Sequence, residues 1–466
     1  MAVRLEEGVS RTAMDKTSKE NFLMNKKLLA VAVAGALAAP GIALAQAANV
    51  QLYGVIDAGF LSNHYSGNAL GLGNAGGVGS VRKYDVFNGA PSRWGLRGTE
   101  DLGRGLKAWF QLEATVFNDG RQETATSHSG LLGGRNSAVG LEGSWGNVSM
   151  GLWDTPYKQV GLATWVRGGG GPMYHGGMIM NNGDSSGAAP NAQCATAISP
   201  ATGALNVATP ICPNQVEGNG TAFHRRFANI IQYWSPNWAG FQLKVATQVN
   251  EGKAAANTAG TTDNNPNPSA WSYGLTWAGG PWNAGLGYEQ HKGFNTTSVS
   301  ADPNVKDTGI TLGGGWNFGM GTVALGWERL KYGDNLSAAA ALAAGGGNGF
   351  QRTNWVINGT FNIGANGSIF AGYSKTPGGK SCGVGATTAV GGAVCGSNSA
   401  ASFASLGYSH KLSKRSTLYA VAGRINNSAG TAYYYIAAPN GPNGISSIVS
   451  AGTDVTTFGV GMNHTF

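Results

Sequence analysis

SRWGLRGTEDLGRGLKAWFQLE, residues 92–113, holds two short runs joined by the tight connection Glu100–Arg104. In the second run Leu106, Ala108, Phe110 and Leu112 alternate with Lys107, Trp109, Gln111 and Glu113. Side chains on a strand point alternately to opposite faces, so one face here is apolar and the other bears ionisable groups. The stretch 50–60 splits the same way, with Val50, Leu52, Ile56, Ala58 and Phe60 opposing Gln51, Tyr53 and Asp57. A soluble sheet with one buried face would show this too, so the pattern along the rest of the chain has to decide.

Working outward, alternation predicts about sixteen strands, over 49–61, 86–99, 105–118, 134–143, 146–154, 223–235, 239–250, 270–278, 281–291, 308–318, 321–333, 351–363, 366–375, 400–412, 415–425 and 453–466. Every second connection is very short: Glu100–Arg104, Ser144-Trp145, Pro236–Trp238, Gly279-Gly280, Gly319-Met320, Gly364-Ala365 and Ser413-Lys414. The intervening ones are long, and the longest covers 155–222. Tight turns on one side and long loops on the other are the signature of an up-and-down barrel in an outer membrane. Hydrocarbon offers backbone groups no partner, so a membrane protein built of strands must close on itself. The expected fold is therefore all-β, a 16-stranded antiparallel transmembrane barrel whose width leaves a water-filled lumen. Trp145, Tyr233, Trp234, Trp238, Trp277, Trp282, Trp316 and Phe318 crowd the strand ends, where aromatic girdles meet lipid headgroups.

Composition agrees. Of 466 residues 76 are Gly, and charged residues make up only 12%, about half the usual share. One apolar run, 28–45 (LLAVAVAGALAAPGIALA), follows Met24-Asn25-Lys26-Lys27 and closes on Ala43-Leu44-Ala45. A positive start, a short Pro-broken apolar stretch and a small-residue exit predict a signal peptide over 24–45, with cleavage after Ala45 or Ala47 equally readable. Residues 1–23 then read as an over-extended N-terminus, and 46–466 as the barrel. Residues 1–45 carry six Lys/Arg and four Asp/Glu, so the remainder has a net charge of +6. That is too modest to imply nucleic acid. For an exported chain the four cysteines predict two local disulfides, Cys194–Cys212 and Cys382–Cys395, stapling long loops. No CxxC or His-rich spacing supports a metal, and no cofactor is expected.

VQLYGVIDAGF (50–60), SRWGLRGTEDLGRGLKAWFQLE (92–113), AVGLEGSWGNVSMGLWD (138–154), RFANIIQYWSPNWAGFQLKVATQ (226–248) and VGMNHTF (460–466) together resemble the Gram-negative trimeric general porins of the Burkholderia/Neisseria type. The resemblance runs along nearly the whole mature chain and is weakest in the loops. It implies a homotrimer in the outer membrane, with a third loop (here 155–222) folded into the lumen. It also implies a constriction in which wall arginines face acids on that loop. By motif position Arg93 and Arg226 carry over to the arginine cluster; Arg97 shares the face of Arg93, and Arg135 opens the strand at 134–143. Asp154, Asp184 and Glu217 are the candidate loop acids. Where the family commonly has Arg after the Gly of the fifth strand, this chain has Leu152. More wall cations than loop acids imply a mild preference for anions.

The function expected is passive diffusion of small hydrophilic solutes and ions. The alternatives are a substrate-specific channel and a surface adhesin. An enzyme is not expected: the seven histidines (64, 128, 175, 224, 291, 410, 464) accompany no GxSxG elbow and no clustered acid pair. Cations in the outer loops would meet lipopolysaccharide phosphates. The chain stops on Phe466, at the end of an alternating strand in which Phe458, Val460, Met462, His464 and Phe466 share one parity. In the barrel families it resembles, such a terminal aromatic is the signal read by the outer-membrane assembly machinery. Gly54 and Ala58, small and on the outer parity of the first strand, are the sequence's own hint of subunit contact.

Overall fold

The apolar parity of the strands becomes the outside of a closed sheet. The computed structural model describes residues 49–67, 79–88, 92–116, 133–165, 180, 223, 226–249, 269–292, 306–334, 351–378, 400–428 and 452–466. In chain order these form β1 (Gln51–Gly67), β2 (Gly79–Asn88), β3 (Arg93–Gly103), β4 (Leu106–Thr115), β5 (Ser137–Gly143) and β6 (Gly146–Asp154), then the helix α1 (Pro156–Thr164). There follow β7 (Arg226–Trp234), β8 (Phe241–Gln248), β9 (Ser269–Gly279), β10 (Trp282–Lys292), β11 (Lys306–Asn317) and β12 (Gly321–Asp334). The last are β13 (Gln351–Ile363), β14 (Gly367–Thr376), β15 (Ala401–Lys411), β16 (Ser416–Asn427) and β17 (Thr453–Thr465). The proposed signal segment and all four cysteines lie outside the described residues.

Each strand pairs antiparallel with its neighbours, and β1 pairs with β17 from Val55↔Thr465 to Gly67↔Thr453, which closes the ring. The single strand expected over 86–99 is instead two pieces. β1 pairs with β2 through Ala58–Gly67 and with β3 through Gln51–Val55, so seventeen segments occupy sixteen positions around the barrel. At the break, the backbone N–H of Asp57 donates to Ser92 Oγ (2.9 Å) and Ser92 Oγ donates to the Asp57 carbonyl (3.0 Å). One hydroxyl, able to donate and accept, stands in for the missing ladder partner.

The outward positions carry the large apolar side chains: Leu52, Phe60, Val139, Met150, Leu312, Leu325, Leu406 and Phe458 are all exposed. The inward positions hold the buried polar ones, among them Asp57, Glu113, Ser149, Gln232, Glu328 and Asn354. At the tight-turn end Trp282 stacks on Trp316 at 5.4 Å, and Phe318 tilts against Trp316. Trp234 departs from the girdle expected of it, because it shares the inward parity with Gln232. Tyr233 points outward and donates to the Trp145 carbonyl.

The chain end is tied down. Phe466 N–H donates to the Gly54 carbonyl (3.1 Å) and Gly54 N–H to that of Phe466 (3.2 Å). The Phe466 ring covers Gly54 so closely that a Cβ there would overlap it. Gly54 is therefore a seat for the terminal ring, and the space it opens is already filled.

α1 starts the segment 155–222. The Thr155 side chain caps it by accepting from Lys158 N–H, and Pro156 supplies a preset φ in the first turn. Alternation alone leaves this stretch as loop, and the Thr-Pro start is the local signal of the helix. The helix lies against the inner faces of β9–β12. Tyr157 N–H donates to Ser272 Oγ, Tyr157 Oη to Glu328 Oε2 (3.0 Å), and Asn358 Nδ2 to the Trp165 carbonyl. The wall makes room with glycine. A Cβ on Gly274 would come within 2.8 Å of the Pro156 carbonyl oxygen, and one on Gly326 within 2.5 Å of the Trp165 ring. On Gly313 it would overlap Thr164 Oγ1.

Candidate functional site: the charged inner wall

Three adjacent strands set the first node. Tyr53 on β1, Gly95 on β3 and Glu113 on β4 lie in one register row. Because Gly95 has no side chain, the Tyr53 hydroxyl crosses β3 and donates to Glu113 Oε2 at 3.1 Å. A Cβ on Gly95 would stand 2.7 Å from that hydroxyl. Glu113 Oε2 also pairs with Arg93 Nε at 3.2 Å, and Oε1 accepts from Arg135 Nε at 2.7 Å. One carboxylate thus holds two guanidiniums.

Asp154, the last residue of β6, makes the second node. Its Oδ1 pairs with Lys158 Nζ at 2.9 Å and Arg226 Nε at 3.2 Å, and its Oδ2 accepts from Asn136 Nδ2 at 2.8 Å. Asn136 Oδ1 accepts in turn from Arg226 Nε and the Asp154 N–H. Arg135 sits between the nodes. Burial lowers the pKa of its guanidinium, the charge of Arg226 adds to that, and Glu113 opposes it. The guanidinium stays charged all the same. Arg97 stands apart: its Nε donates to Gln51 Oε1 at 3.2 Å and its guanidinium lies 5.1 Å from the Tyr53 ring centre. No carboxylate among the described residues pairs with Arg97.

Of the residues singled out from sequence, Arg93, Arg135, Arg226 and Asp154 come together and Arg97 lies beside them; Asp184 and Glu217 fall outside the described residues. Leu152 is half-buried at the irregularity in the β6–β7 pairing, opposite Ser137. Tyr53, Glu113, Asn136 and Lys158 were missed. Two had a signal: Glu113 lies on the ionisable face of its strand, and Lys158 follows Asp154 at helical i,i+4 spacing.

Beside the nodes, on the tight-turn side along the strands, the lumen wall carries three indoles. Trp109 and Trp153 stand 5.6 Å apart, Trp153 and Trp234 5.7 Å, and Trp109 and Trp234 6.4 Å, between ring centres. Lys244 Nζ lies 4.6 Å from the Trp234 ring centre and donates to Gln159 Oε1 at 2.6 Å. Gln159 Nε2 donates to the Asp154 carbonyl at 2.7 Å, which joins the indole cluster to the second node. Under α1, Glu289 holds His291 at 2.9 Å and Phe223 stacks on the imidazole at 4.7 Å. Among the described residues no group of three or more His, Cys, Asp or Glu could hold a metal ion.

In a closed barrel with low-dielectric walls, the field of these groups is concentrated across the lumen. Each of the two carboxylates is shared by two cations, and Arg97 adds a fifth positive charge.

Known proteins share this fold. A family model described as Gram-negative porin matches residues 30–430. An outer membrane porin protein of Bordetella pertussis is 31% identical over 425 residues, covering 87% of this chain and 95% of that protein. Outer membrane porin protein 32 of Delftia acidovorans is 28% identical over 449 residues, covering 95% of this chain and all of that one. Among solved structures, an anion-selective porin from Comamonas acidovorans superposes with a TM-score of 0.55 at 22% identity, covering 90% of this chain and 100% of that chain. A trimer form of OmpT from Vibrio cholerae gives 0.51 at 13% identity, covering 90% and 99%.

Proposed function

This chain belongs to the Gram-negative porin family, and from that premise we propose that it passes small hydrophilic solutes and ions passively across the outer membrane with a mild preference for anions. The observation that carries the preference is the sharing of Glu113 and Asp154, each by two cations, on the inner wall of a closed barrel. Arg93, Arg97, Arg135, Arg226 and Lys158 line the narrow part of the path. Rings of Arg and Lys lower the energy of a passing anion, and the solute gradient drives transport without any cofactor. The anion selectivity of the Comamonas protein supports this sign, and the trimer form of OmpT supports a homotrimer as the working unit. Phe466, seated on Gly54, serves barrel assembly rather than transport, and basic residues of the outer rim meet lipopolysaccharide phosphates.

The test is a salt-gradient reversal potential on purified protein in planar bilayers. Large ohmic currents with a reversal potential on the anion side are expected, and a cation-side potential would overturn the assignment. The double substitution Arg93→Gln, Arg226→Gln should move the potential toward cations. A channel built for one solute would pass little salt current, and an adhesin would pass none.

A further inference from the structure

The three indoles face a water-filled lumen, where apolar surface lowers the energy only when something covers it. From α1, Gln159 reaches this patch through Lys244. Trp109, Trp153 and Trp234 remain partly exposed. Trp153 is held from behind by Phe227, Ile230, Ala246 and Ala270. The Trp234 indole N–H donates to Gln232 Oε1 (3.1 Å), and Gln232 Nε2 donates to Ser149 Oγ (2.9 Å). Trp153 and Trp234 are thus held in place.

Resting on the channel reading above, we propose that this patch is a stacking subsite for planar aromatic carboxylates, with Trp109, Trp153 and Trp234 taking the ring and Lys244 taking the carboxylate. A cation here stands beside a π-rich surface. Indole faces attract flat rings in offset or edge-on geometry more strongly than puckered rings of the same size. The Lys244 ammonium, 4.6 Å from the Trp234 ring centre, sits where an anionic substituent on a stacked ring would lie. The chain Lys244–Gln159–Asp154 leads back to Arg226 and Lys158, so the indoles lie beside the node that draws anions in. Such a subsite would enrich the lumen in these solutes while leaving chloride a path beside them.

The test uses the purified protein in planar bilayers under chloride, with benzoate, cyclohexanecarboxylate and acetate added in turn. Benzoate should reduce the chloride current saturably, half-blocking at a concentration at least several-fold below that of cyclohexanecarboxylate, and acetate should show no saturation. With block normalised to each variant's own chloride current, Trp109→Leu with Trp234→Leu should bring the two ring acids within twofold of each other, while Trp234→Phe should keep them apart. Equal block by the two ring acids in the unaltered protein overturns the subsite without any variant, as does discrimination that survives the double Leu change. Conduction without discrimination sinks this inference alone; a protein that does not conduct sinks the channel reading with it.

Discussion

The two sides of the lumen are built on opposite principles. The wall of β3–β6 is crowded with charge and fixed by ion pairs and hydrogen bonds: Arg93 and Arg135 on Glu113, Tyr53 across Gly95, Asn136 against Asp154. The wall of β9–β12 is emptied of side chains at Gly274, Gly285, Gly313 and Gly326, and α1 fills the space. One side makes a field and the other makes a shape. Stability on the first side should depend on salt, because charge pairs that reach water are screened. On the second side it should depend on salt much less, because steric fit has no charge to screen and the carboxylates there, Glu289 and Glu328, are out of reach of water.

Three substitutions would break or sharpen that contrast, taken from the largest effect down. Glu113→Gln strands two guanidiniums. Breaking a buried pair costs about 3–5 kcal/mol, and the low end applies because Arg93 still reaches water. Urea unfolding of the purified protein should show the loss, the reversal potential should move further toward anions, and 1 M salt should shrink the stability difference. An unchanged selectivity would sever Glu113 from the conduction path. Gly313→Val forces a side chain into Thr164 and Trp165, at an overpacking cost of about 1–3 kcal/mol. The same unfolding measurement should show that loss at low and high salt alike, and a salt-sensitive loss would erase the distinction between the walls. Tyr53→Phe removes one hydrogen bond to a carboxylate, worth about 1.5 kcal/mol. Its effect should vanish in the Glu113→Gln background, since the hydroxyl then loses its charged acceptor; additive losses would mean that Tyr53 acts elsewhere.

The division between lipid face and lumen face was legible because the two solvents make opposite demands on alternate residues. A strand sets Leu106, Ala108, Phe110 and Leu112 on one face and Lys107 and Glu113 on the other. The tight turns were legible for the same reason, since they interrupt a regular alternation. The glycines of β9–β12 were not. Their meaning comes from a helix that arrives from a distant loop, and a glycine waiting for it looks like one in any flexible strand. Glu113 could be seen as a lumen carboxylate, yet its two guanidinium partners depend on the β3–β4 register and on the approach of Arg135, which alternation does not encode. The division of one strand position between β2 and β3 was hidden too. It turns on Ser92, a residue whose hydroxyl reads as a turn former until Asp57 is opposite it.

The seam between β1 and β17 also constrains the order of folding. Every other pairing in the sheet joins strands that are close in the chain, but Asn463 Nδ2 bonds Asp57 Oδ2 across 406 positions, and Tyr419 Oη bonds its Oδ1 across 362. Closing so long a loop carries the greatest entropic cost of any contact in the sheet, and contacts between distant positions form slowly. The seam must then be the last joint made. Until β17 arrives, Asp57 lacks its bond to Asn463 and β1 keeps a bare edge. A chain that ends before β17 would remain an open sheet, free to pair edge to edge with another copy of itself.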